Sequence, residues 1–287
     1  MTVREAQFTL LGTGTSAGVP VIACDCATCT SSDPRDRRTR TGAMLQFVDA
    51  TGQHRVVLVD APPDHREHSL KQRLKRVDAI LFTHAHVDHV FGLDDARLYN
   101  VSMGGPIDLY AEPAVAQDLE RIFEHIFRPH RNVNRSFVAS VCMHAVQPGV
   151  AFDLWGVRVL PVRLLHGNLP IVGYRFEVPG EQGAEAPHAH LGASAATGPF
   201  PLAYCTDVNG IPPESWPQLR GLRTLVLDML RERKHPTHFS LQESLNVAHR
   251  VGAARTVFTH MTHDVLHAEL SSRLPPGVEL GYDGMCL

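Results

Sequence analysis

Asp78-Ala79-Ile80-Leu81-Phe82-Thr83 runs straight into His84-Ala85-His86-Val87-Asp88-His89. The first six residues are a short apolar run ending at polar residues, the pattern of a buried strand. The next six carry four side chains able to ligate a metal. At a strand end the backbone turns, so neighbouring side chains can converge on one point. His84 and His86 are spaced to bind one ion; Asp88 and His89 sit where a helix would begin and could bind a second. Two imidazoles plus a carboxylate suit Zn, Mn, Fe or Ni, with Zn the default.

The rest of the chain is consistent with such a site. It has 287 residues and 18 histidines, many more than core packing calls for. With 27 Lys+Arg against 30 Asp+Glu the formal charge is −3, so the basic surplus of a protein that grips a large nucleic acid is absent. No apolar run is long enough to span a bilayer, and residues 1–14 lack a signal-peptide core. A soluble cytoplasmic protein is expected. In that compartment the spacing Cys24-x-Cys26-x-x-Cys29 points to metal rather than disulfides.

Strands are predicted at 7–11, 43–48, 55–59, 78–82, 107–110, 157–162, 171–178, 201–205, 224–227 and 256–258. Helix periodicity covers 114–126 and 241–251, the second preceded by Ser240 with Glu243 three residues on, as in a capping box. A mixed α/β fold, with sheets covered by helices, is the consequence. One domain spanning 1–287 is expected, with a cysteine loop at about 20–32 and a flexible Gly/Ala/Pro loop at about 179–200. The glycines of 12–20 lack the Lys-Ser/Thr ending of a phosphate loop and read as turns. The basic run Arg35, Arg37, Arg38 and Arg40 reads as a solvated face.

The motif H-x-H-x-D-H after a strand resembles that of the metallo-β-lactamase superfamily. The resemblance implies a four-layer αββα sandwich and three more ligands, each following a strand. His166, Asp207 and His260 stand in those places. By resemblance, His84, His86 and His166 would hold one metal and Asp88, His89 and His260 another, with Asp207 bridging. Asp60, after Val57-Leu58-Val59, matches an aspartate that orients a ligand.

The cysteine loop narrows the branch. It resembles the amino-terminal zinc loop of PhnP-like cyclic phosphodiesterases, whose fourth ligand is the second histidine of a T-H-x-x-H stretch. Here that stretch is Thr259-His260-Met261-Thr262-His263, making His263 the partner of Cys24, Cys26 and Cys29 in a structural zinc site. His238 matches a histidine that faces the substrate phosphate as general acid or oxyanion donor; His235 has no assigned role, and His188 and His190 read as surface residues.

The cofactors expected are therefore two divalent ions (Zn or Mn) in the active site and one structural Zn. A pair of ions about 3.5–4 Å apart lowers the pKa of a bridging water and stabilises attacking and leaving oxygens. The function expected is hydrolysis of a small cyclic or nucleotide-like phosphodiester, with His238, Asp88 and Asp207 carrying the chemistry. The alternatives are a tRNA 3′-processing endonuclease, a thioesterase or lactamase, and a non-catalytic biosynthesis accessory of the PqqB type. The expected partner is a small phosphodiester, not a membrane or a large nucleic acid; a homodimer is an open alternative.

Overall fold

A computed structural model describes residues 2–133, 137–179 and 198–287. Two seven-stranded sheets face each other. The first has the order β14-β1-β2-β3-β4-β5-β6, formed by Met285–Cys286 (β14), Arg4–Gly12 (β1), Gly42–Val48 (β2), His54–Val59 (β3), Ala79–Leu81 (β4), Ile107–Ala111 (β5) and Val141–Ala145 (β6). The second has the order β13-β12-β11-β10-β9-β8-β7: Val278–Leu280 (β13), Arg255–Thr259 (β12), Thr224–Asp228 (β11), Leu202–Cys205 (β10), Leu169–Glu177 (β9), Val157–His166 (β8) and Phe152–Leu154 (β7). Each sheet joins an antiparallel half to a parallel one.

Period-two patterning builds the layers. Val57 and Val59 of β3 point into the core between the sheets, with Phe8, Tyr174, Phe176 and Tyr204. Their neighbours Val56 and Leu58 point outward, under the helices of the first sheet. These helices are His65–Lys71 (α1), Val87–Val90 (α2), Arg97–Met103 (α3), Pro113–Ile122 (α4) and Glu124–Phe127 (α5). Leu241–Val251 (α6) and His267–Ser271 (α7) belong to the second sheet, whose outer face packs Leu225, Leu227, Val247 and Leu270 together. This is the αββα sandwich. Among the described residues no helix is long and apolar enough to cross a membrane.

Three sequence expectations are corrected. The helix predicted over 114–126 is two helices, because Phe123 leaves helical geometry at φ −111° and ψ 44°; Phe123 and Ile126 are still buried, so the apolar period reports packing rather than continuity. The basic run is a solvated face only in part: Arg35 and Arg37 are exposed and Arg40 is half-buried. Arg38 is fully buried, donating to Asp36 at 3.0 Å and to the carbonyls of Thr262 and Val265 at 3.1 and 2.8 Å. Strands β6, β7, β13 and β14 are additions to the predicted set; the first is largely exposed and the others are two or three residues long. The loop at 179–200, with His188 and His190, falls outside the described residues from 180 to 197.

The glycines near the amino terminus serve close backbone passage. A Cβ on Gly12 would lie 2.0 Å from the Arg40 carbonyl oxygen, and one on Gly14 would lie 2.7 Å from that of Arg38. The same stretch reaches the loop after β12, where Met261 donates to the Thr13 carbonyl at 2.9 Å.

Candidate metal centre and active site

All seven predicted active-site ligands meet at one end of the seam between the sheets. The loop after β4 supplies His84, His86, Asp88 and His89; the second sheet supplies His166 at the end of β8, Asp207 after β10 and His260 after β12. Asp60, Asp207 and His260 adopt left-handed backbone, φ 64°, 55° and 63°. Non-glycine residues rarely do so, and the strain is characteristic of functional sites. The turn lets each strand end abruptly and aims its side chain into the seam.

The donor atoms of His84, His86 and His166 lie within 4.8 Å of one another, and so do those of Asp88, His89, Asp207 and His260. Asp207 also falls within 4.8 Å of His166 and His238, placing it between the two groups. Its Oδ2 is 3.2 Å from His89 Nε2 and its Oδ1 is 3.1 Å from His260 Nε2. The Nε2 atoms of His84, His89 and His260 are buried and make no aligned hydrogen bond. Close but unaligned contacts are what lone pairs converging on a common point produce.

The opposite ring nitrogens are tied back. His89 Nδ1 meets Asp60 Oδ2 at 2.7 Å, and Asp60 also accepts from the Thr83 amide and hydroxyl. His166 Nδ1 donates to the Thr237 carbonyl at 2.8 Å, and His84 Nδ1 is 3.0 Å from the Thr83 hydroxyl. Such bonds fix the ring and leave the other nitrogen for a metal. Burial holds His84 well below the usual histidine range, so its imidazole is neutral. Burial opposes charge on Asp207, yet His260 and His89 outweigh it and keep the carboxylate ionised. Against the opposing effect of burial, Asp207 in turn favours a proton on His89 and His260, raising both above the usual histidine range; a divalent cation would take the place of that positive charge beside the ionised carboxylate.

The cysteine loop forms a second, separate donor set. His263 Nδ1 lies 3.2, 3.6 and 3.5 Å from the sulfurs of Cys24, Cys26 and Cys29. The Cys29 amide, donating to its sulfur, lowers Cys26 to about 7, while burial raises Cys29 to about 11. Three sulfurs around one imidazole nitrogen fit a tetrahedral zinc. The buried Arg38–Asp36 pair ties the chain just after this loop to the segment beyond His263, where His267 also donates its amide to Asp36 at 2.8 Å.

His238 borders the ligand cluster. Its ring centroid is 4.6 Å from that of His166 and 4.8 Å from that of His260. Its Nδ1 meets Asp228 Oδ2 at 2.7 Å. Asp228 is the residue that sequence reasoning missed, although an acid closing the apolar run Thr224–Leu227 repeats the signal that singled out Asp60. Burial disfavours charge on both partners, raising the Asp228 carboxyl well above its ordinary value and lowering His238 to about 3. His235 lies behind His238, ring centroids 5.2 Å apart, with Nδ1 3.2 Å from the Thr237 hydroxyl.

Two packed sheets with an imidazole–carboxylate cluster at one end of their seam are the architecture of the metallo-β-lactamase fold. The chain belongs to the β-lactamase superfamily: the model described as "Beta-lactamase superfamily domain" matches residues 55–261. Within it the chain is 39% identical to a structure described as a new diphosphatase from the PhnP family, with TM-score 0.82 and 99% of this chain and 97% of that one covered. It is also 34% identical to an octanoyltransferase of Porphyromonas gingivalis over 278 residues, 96% of this chain but 50% of that protein. The chain thus spans half the length of that relative. The fold alone is shared with Zn(2+)-bound PqqB from Methylobacterium extorquens, 19% identical at TM-score 0.73, with 98% of this chain and 99% of that one covered.

Proposed function

We propose that the protein hydrolyses a small cyclic or nucleotide-like phosphodiester. The observation that carries this reading is the His238–Asp228 pair beside the seven-residue ligand cluster. His84, His86 and His166 would hold one divalent ion, Asp88, His89 and His260 a second, and Asp207 both; Zn and Mn both suit these donors. Ions bound there supply Lewis-acid stabilisation of charge on phosphoryl oxygens and make water more acidic.

The side chains do the positioning. Asp60 and Thr237 hold His89 and His166 in register. With both partners neutral, the Asp228 carboxyl would donate to His238 Nδ1 and leave the Nε2 proton to meet the leaving oxygen as hydrogen-bond donor; giving that proton up, as general acid, would draw the Asp228 proton onto Nδ1. Cys24, Cys26, Cys29 and His263 would bind a structural zinc, fixing the loop that also carries His260. Similarity to a PhnP-family diphosphatase supports phosphorus as the reacting centre and favours a second substrate class, a nucleotide-like diphosphate. Octanoyl transfer is not assigned, because the match covers half of that transferase.

The test is turnover of bis-(p-nitrophenyl) phosphate with Zn or Mn, followed by a panel of 2′,3′-, 3′,5′- and ribosyl 1,2-cyclic phosphates and nucleotide diphosphates. Activity is expected in the purified chain and lost in Asp207→Ala and His86→Ala. Turnover of octanoyl thioesters but no phosphate ester, or full activity in both variants, would overturn the reading.

A further inference from the structure

The groove between α1 and α3 holds a cavity of about 430 Å³, a size typical of small-molecule sites. None of the proposed metal ligands or their supporting residues lines it, so its occupant is independent of the phosphodiester proposed for the metal centre. Leu74 forms part of the wall, and Leu70 and Leu98 lie at the rim, 61% and 57% exposed. Leucines so exposed on two helices that flank a concavity are out of place unless something apolar covers them.

The polar side of the lining is equally specific. His65 lines the cavity while only 1% exposed, and its Nε2 has no hydrogen-bond partner among the described residues. Its ring is held edge-on to Tyr99, centroids 5.8 Å apart, so the nitrogen cannot swing out to water without breaking that packing. Arg66 and Lys75 also line the cavity and have no ion-pair partner among the described residues; Asp95 is the one carboxylate on the lining.

We infer that this cavity binds a small amphipathic monoanion. Its carboxylate would face Arg66 and Lys75, and a tail of several carbons would cover Leu70, Leu74 and Leu98. The leucines reject a bare anion such as acetate, and the cations favour a carboxylate over an alcohol of equal length.

Isothermal titration of the full chain with hexanoate, 1-hexanol and acetate tests this. Saturable hexanoate binding at one site per chain is expected, at least tenfold tighter than either control. It should weaken at least tenfold in the Arg66→Glu/Lys75→Glu variant, whose changes are on exposed side chains and should leave the melting temperature alone. Three results would overturn the proposal: no saturable hexanoate binding, equal binding by that variant, or hexanol binding as tightly as hexanoate. A fourth is a dimer that Leu98→Asp converts to monomer in sedimentation while hexanoate does not bind, because a second copy would then be what covers the leucines.

Discussion

At the scale of single residues, the side chains that touch the seam were readable and those that stand behind them only partly so. The seven ligand candidates follow apolar runs, and a strand end carrying His or Asp is a visible signal. Asp60 had the same signature. Asp228 had it too, yet the run before it contained no motif to draw notice, and its partner His238 lies ten residues on, beyond a loop. Pairings of that kind are made by topology. Asp228→Asn retains the shape of the carboxyl but weakens its hold on His238 Nδ1. We expect kcat on a phosphodiester to fall by about 10- to 100-fold, the range for residues that orient an active group, with metal content by mass spectrometry unchanged. Loss of bound metal in parallel would assign Asp228 to the ligand set instead.

Among the elements, α6 was legible in full because its signals are local. Ser240 donates its hydroxyl to Glu243 at 2.6 Å, its amide does so at 2.9 Å, and Gly252 closes the helix in left-handed geometry. The break between α4 and α5 was not legible, since period alone does not register a bend that preserves the buried face. Gly92 is a third case, a glycine whose reason is purely tertiary. It follows the ligand loop, and a Cβ there would sit 2.2 Å from the Pro62 carbonyl oxygen and 2.5 Å from His65 Cβ. The turn from β3 into α1 also donates the Ala61 amide to the His89 carbonyl at 2.8 Å. Gly92→Ala should therefore push the ligand loop off this turn. Overpacking of this kind costs about 1–3 kcal/mol, and urea denaturation should show a loss in that range or above, together with weaker metal binding. A variant as stable as the parent would mean that the turn yields freely.

For the molecule as a whole, buried neutral histidines make stability depend on pH. His65 and His68 are both 1% exposed, and burial lowers them to about 4 and about 3. Unfolded histidine titrates near 6.5. As pH falls through that value the unfolded chain takes up protons that the folded chain refuses, so stability is lost from about pH 6.5 down to about pH 4. Each such histidine steepens the loss by about 1.4 kcal/mol per pH unit. Urea denaturation between pH 5 and 7 should give His68→Gln a shallower slope than the parent, by close to one proton at about pH 5 and progressively less toward pH 7; an equal slope throughout would show His68 to be accessible to protons in the folded state. The fold that buries these rings also divides the candidate metal centre between its two sheets, four donors from one and three from the other. Neither sheet alone retains a full donor set. An ion held there would leave only when the sheets part, so the speed of its escape is a clock for a motion of the whole sandwich. Stripping by a chelator should then reach a plateau rate that further chelator does not raise, and the plateau should coincide with the slow exchange of the amide hydrogens at the ends of β4 and β10. A stripping rate that keeps climbing with chelator concentration would instead mean that the ion is pulled out through the mouth of a closed sandwich.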